Sequence, residues 1–156
     1  MRSRNTRMMF SIIFLATLGI NMAQAARAQC SNSTVAGKWG FTTDGTVVGI
    51  GPRASVGIFA LDAFGNLLDG KASSSLNGSV TNETFSGTYT MSSDCTATVA
   101  IVILDTSGNK VLSATLDLVF DNNARELRGM FTSAVLPNGT SLATVITASG
   151  KRLFSD

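Results

Sequence analysis

Along residues 111–120 the side chains alternate with a period of two. Leu112, Ala114, Leu116, Leu118 and Phe120 share one side, and Ser113, Thr115 and Asp117 share the other. That period belongs to a β-strand with one face buried. The same alternation sets Phe85, Gly87, Tyr89 and Met91 against Thr84, Ser86, Thr88 and Thr90, and Trp39 and Phe41 against Lys38 and Thr42. Residues 99–104 break it, because Val99, Ala100, Ile101, Val102, Ile103 and Leu104 are apolar on both faces. Such a strand is expected to be covered on both sides, or to pack against something outside the sheet. Turn chemistry punctuates the pattern at Gly65-Asn66, Asn77-Gly78, Ser93-Asp94, Ser107-Gly108-Asn109, Asn122-Asn123 and Pro137-Asn138-Gly139. The pattern predicts strands over 37–47, 54–61, 67–76, 80–91, 96–104, 111–120, 126–135 and 140–148. No stretch of residues 29–156 carries a helical period.

Every connection between these strands is short. A Greek key needs one long return, so the order implied is an up-and-down meander. A meander of this length removes its two edges by closing. The expected fold is therefore all-β, a single eight-stranded antiparallel barrel. Its interior is filled by side chains or holds one small ligand. Gly57, Gly70, Gly87 and Gly129 fall within strands, where a missing side chain permits sharp coiling or the close approach of a ligand.

The first 28 residues read differently. Arg2, Arg4 and Arg7 precede an apolar run from Met8 to Ile20, and small-residue patterns follow at Ala23-Gln24-Ala25 and Ala26-Arg27-Ala28. This is the layout of an export signal. The run is shorter than the roughly 20 residues of a spanning helix. Cleavage after Ala28 is favoured over Ala25, which divides the chain into a leader, 1–28, and a barrel domain, 29–156. The expected location is periplasmic or extracellular.

The leader also distorts the charge. The whole chain carries a formal +2, but residues 29–156 hold eight basic and ten acidic side chains, a net −2. No basic patch remains for nucleic acid or anionic lipid. Nine aromatic residues in the barrel domain are too few for the two girdles of a membrane barrel, so no stable membrane insertion is expected. The chain has no histidine, which excludes Ser-His-Asp triads and most zinc sites. No metal site and no cofactor are expected. The two cysteines, Cys30 and Cys95, are predicted to form a disulfide, since an exported chain is oxidised. Sequons at Asn32, Asn77, Asn82 and Asn138 are ascribed to chance in a chain rich in Ser, Thr and Asn.

Several segments resemble a group of uncharacterised exported bacterial proteins with an allene-oxide-cyclase-like, calycin-type barrel. They are Cys30-Ser31-Asn32, Gly37-Lys38-Trp39-Gly40-Phe41, Gly51-Pro52-Arg53-Ala54-Ser55-Val56-Gly57, Leu61-Asp62-Ala63-Phe64-Gly65-Asn66-Leu67 and Asn77-Gly78-Ser79-Val80. Phe85-Ser86-Gly87-Thr88-Tyr89-Thr90, Asp94-Cys95-Thr96 and Gly150-Lys151-Arg152 complete the set. The resemblance implies the barrel fold and carries over no catalytic residue.

Candidate chemistry is sparse. Trp39, Tyr89 and Phe120 are pocket candidates, the first two able to add an indole N–H and a phenol to an apolar wall. Lys38 and Arg53 are candidates for an anionic group at a barrel mouth. Asp117 is placed on the solvent face, Glu83 and Glu126 at strand starts as rim charges, and Asp62, Asp105 and Asp121 in turns. The balance favours a barrel that binds a small apolar molecule and is not an enzyme. An isomerase or cyclase, and an interaction protein with a packed interior, are the alternatives.

Overall fold

The computed structural model describes residues 29–121 and 123–154, so the predicted leader lies outside the described residues. One helical turn, α1 (Asn32–Val35), precedes eight strands. These are β1 (Gly37–Val47), β2 (Gly51–Leu61), β3 (Asn66–Leu76), β4 (Ser79–Met91), β5 (Thr96–Leu104), β6 (Lys110–Asp121), β7 (Glu126–Val135) and β8 (Thr144–Arg152). Each pairs antiparallel with the next, and β8 returns to β1, closing the barrel in meander order. The expected architecture is the observed one.

The alternation does what a strand period requires. On β6, Ala114, Leu116, Leu118 and Phe120 are buried, whereas Asp117 faces out and accepts a hydrogen bond from Thr98 Oγ1 across the strand pair. On β1, Trp39, Thr43 and Val47 are buried. Several details differ from the sequence reading: β2 begins at Gly51 rather than at residue 54, and a single helical turn, α1, precedes the strands. The last strand runs over Thr144–Arg152 rather than 140–148. Leu136 N donates to Thr140 O and Leu142 N to Ala134 O, so residues 136–143 form a broad turn before pairing resumes. The outer face of β5 is also uncovered, with Val102 39 % exposed. The inner row, Ala97, Val99, Ile101 and Ile103, is what packs in the core.

The strand glycines serve coiling. A methyl at Gly87 would collide with the Ala100 carbonyl oxygen, and one at Gly70 with the Phe85 ring. Both positions let neighbouring backbone or an aromatic ring approach closely, and neither is held open for a ligand. Register shifts within four of the strand pairings add to the curl.

The two ends of the barrel differ. One end carries the β2–β3, β4–β5 and β6–β7 turns together with α1, and it is stoppered. Val35 and Trp39 are fully buried there, and Trp39 Nε1 donates to Val35 O at 2.9 Å. The Trp39 ring meets Phe120 edge-on at 5.2 Å. Cys30 and Cys95 are disulfide-bonded, with Cα atoms 5.0 Å apart, which ties the segment before α1 to the β4–β5 turn. The other end, with the β1–β2, β3–β4, β5–β6 and β7–β8 connections, has no such stopper.

Candidate ligand-binding site

Inside the barrel lies a cavity of about 70 Å³. Phe41, Phe59 and Phe85 form one wall, with ring centroids 5.6 to 6.3 Å apart. Val99, Ile101, Leu116, Leu118 and Leu127 form much of the rest. These residues come from inward positions on six strands, β1, β2, β4, β5, β6 and β7, as the two-residue period demands. Toward the open end the lining turns polar at Thr43, Ser55, Ser74, Arg53 and Glu83.

This polar group is a connected network. Thr43 Oγ1 donates to Ser55 Oγ at 3.1 Å, and Ser74 Oγ lies 3.0 Å from Ser55 Oγ. Ser74 Oγ donates to Glu83 Oε2 at 2.8 Å. Arg53 Nη2 reaches the same carboxylate oxygen at 3.1 Å and Ser74 Oγ at 3.2 Å. The Arg53 and Glu83 side chains are each 12 % exposed. Arg53 Nε is buried without a partner. A buried donor left unpaired costs about 1–3 kcal/mol.

Beyond the network a second cavity of about 280 Å³ forms the mouth. Val47, Leu76, Val111, Leu112, Leu136 and Leu142 line it. Arg53, Glu83, Ile103 and Phe131 line both spaces, so the ion pair stands at the waist between chamber and mouth. Asp105 also lines the mouth, but its carboxylate is engaged by Ser107 N, Asn109 N and Asn109 Nδ2. Those hydrogen bonds, chiefly from Asn109, hold its pKa below the usual aspartate value.

The sequence-predicted residues fall in different places. Trp39, Tyr89 and Phe120 are buried, but at the stoppered end, and none lines the chamber or the mouth. The Tyr89 hydroxyl donates to the Asp62 carbonyl, with the Asn32 carbonyl 3.2 Å away, joining strand, turn and stopper. Burial, and then the Asp62 charge, push its pKa up to about 12. Asp62 is itself held below the usual range by the Asn66 side chain and amide. Glu126 is a rim charge, 3.5 Å from Lys151. Lys38 faces solvent.

Glu83 corrects the sequence reading: it points into the barrel rather than standing as a rim charge. Arg53 does lie near a mouth, yet its charge is already met by Glu83. The signal was parity, since Glu83 is in step with Phe85, Gly87 and Tyr89, and Arg53 with Ser55, Phe59 and Leu61. Among the described residues, no group of three or more His, Cys, Asp or Glu is placed to hold a metal ion.

This geometry can be set beside known proteins. No family model matches the chain, and no curated protein does. Solved structures do match. The redesigned β-barrel mFAP1, bound to DFHBI, is 15% identical over 78% of this chain and 98% of its own, with a TM-score of 0.51. EF1p2_mFAP2b, bound to DFHBI, is 13% identical over 79% of this chain and 97% of its own, with a TM-score of 0.56. At such identities the likeness is one of fold. The fold is the closed eight-stranded barrel.

Proposed function

We propose that this protein is an exported barrel that binds a small, largely apolar molecule in its interior. The observation that carries the reading is the apolar chamber joined at a polar waist to an open mouth. The mouth, at about 280 Å³, approaches the roughly 300 Å³ at which sites for small organic ligands begin, and with the chamber of about 70 Å³ it passes that size. The matched redesigned barrels, solved with DFHBI bound, support the capacity of this fold to carry a ligand. Export is supported by the Cys30–Cys95 bond, which persists in oxidising compartments, and by the leader pattern of residues 1–28. Among the described residues no helix is long and apolar enough to cross a membrane.

A second reading, an isomerase or cyclase of the allene-oxide-cyclase-like kind, draws on Glu83. Its carboxylate borders the chamber and is a group able to take or give a proton there. Conversion of a bound molecule by the native protein, lost in Glu83→Gln, would favour it over binding alone.

The test of binding is native mass spectrometry of the protein from its own export host, before and after denaturing extraction. It is paired with methyl NMR under xenon. A small molecule released on unfolding, or xenon-induced shifts at Val99, Ile101 and Ile103, is the expected result. A bare mass together with unmoved methyl signals overturns the proposal.

A further inference from the structure

The chamber, at about 70 Å³, is about half the size of an apolar cavity that takes benzene. An occupant therefore places a narrow end in the chamber, not a ring. Its next atoms lie against the Arg53–Glu83 pair at the waist, because these side chains border both chamber and mouth. The pair is mutually neutralising at 3.1 Å and nearly buried. An anion lodged there meets the Glu83 carboxylate and competes with it for Arg53. A cation meets the guanidinium and competes for Glu83. Either leaves one buried charge without its partner, the arrangement a low-dielectric site tolerates least. A neutral group escapes that penalty.

We propose that the Arg53–Glu83 pair is a charge filter at the waist, selecting an uncharged molecule with a narrow alkyl tail and one group that both accepts and donates a hydrogen bond. An alcohol is the simplest case. Its tail lies among Phe41, Phe59, Phe85 and Ile101. Its oxygen accepts from Arg53, and its hydroxyl donates to Glu83. This inference rests on the ligand-binding reading and specifies its ligand class.

The test uses the intact, disulfide-bonded protein at neutral pH and four six-carbon probes: hexane, 1-hexanol, hexanoate and hexylammonium. Binding is followed through the methyl signals of Ile101 and Ile103. 1-Hexanol should bind at least tenfold more tightly than either ion. In Glu83→Gln, which leaves Arg53 unpaired, hexanoate should gain at least tenfold relative to 1-hexanol. In Arg53→Met/Glu83→Leu, which removes both charges and keeps an apolar waist, the preference for 1-hexanol over hexane should fall at least tenfold. That double variant decides the matter if Glu83→Gln does not fold. Binding of hexane with an ion equal to or better than 1-hexanol overturns the filter alone. So does an unchanged alcohol-to-alkane ratio in the double variant. No response to any of the four, hexane included, overturns the ligand-binding reading itself.

Discussion

The two ends of this barrel are built from the same alternating strands, yet one is sealed by a stopper and the other opens into a cavity. At the sealed end Trp39 Nε1 is hydrogen-bonded to Val35 O, the Tyr89 hydroxyl to the Asp62 carbonyl, and Arg152 to the Thr34 and Ala36 carbonyls, while Asp121 Oδ1 is buried without a partner. The four-residue α1 is far too short to persist alone. It is held by those bonds, by burial of Val35 and by the disulfide. At the open end Thr43, Ser55, Ser74, Arg53 and Glu83 bond to one another beside the cavities, and Arg53 Nε is buried without a partner. The stopper and the mouth thus lie at opposite ends of the barrel axis. The difference teaches that buried aromatics by themselves do not mark a site. Trp39, Tyr89 and Phe120 belong to the stopper, Phe59 and Phe85 line the chamber, and the proposed site lies where buried charge and empty volume coincide.

The comparison breaks most sharply at Trp39. Trp39→Ala removes a fully buried indole, its edge contact with Phe120 and the donor to Val35 O. A loss of about 5 kcal/mol is expected, the upper end for such truncations. Urea unfolding followed by circular dichroism measures it, and a loss under about 2 kcal/mol would mean the stopper is not part of the cooperative core. Cys30→Ser comes next. The bond closes a loop with a sequence separation of 65, for which loop closure gives about 4 kcal/mol. The β signal should survive while the melting temperature falls. Identical melting of oxidised and reduced protein would remove the disulfide from the account.

At the open end the expected order is reversed for paired and single changes. Arg53→Met alone strands the Glu83 carboxylate and should cost about 3 kcal/mol. Arg53→Met/Glu83→Leu, with both charges gone, should lie within about 1 kcal/mol of the parent. A double variant as damaged as the single one would show that the waist is structural, like the stopper, and would erase the contrast between the ends.

The barrel itself was legible in the sequence, because a two-residue period with short turns leaves an eight-stranded meander little choice but closure. β6 and residues 84–91 of β4 read directly, down to the outward Asp117. β2 did not, and the reason is physical. Its outward positions include Val56 and Ile58, 58% and 48% exposed, whereas its inward ones include Arg53 and Ser55. Hydrophobicity there points the wrong way, and only the parity set by Phe59 and Leu61 restores it. The waist was hidden for the same cause. A charge that pairs with another strand's charge inside a barrel looks, along its own strand, like a solvent-facing residue. The β8 start was missed because Leu142 packs at the mouth without belonging to a strand.

The smallest expected effect returns to the stopper. Burial and the Asp62 charge favour the neutral Tyr89 phenol in the folded chain, raising its pKa from 10.0 to about 12. The unfolded chain therefore gives up this proton first. The Tyr89 contribution is complete below pH 10 and is lost as pH rises from there toward about 12. Tyr89→Phe keeps the ring and drops the bond to the Asp62 carbonyl, which should cost about 1 kcal/mol at neutral pH. The same variant should flatten the alkaline fall in stability relative to the parent. Urea midpoints at neutral pH and across pH 10 to 12 supply both readings. If the two proteins lose stability in parallel through that window, Tyr89 is not held neutral by its surroundings. The stopper would then be looser around α1 than its hydrogen bonds imply.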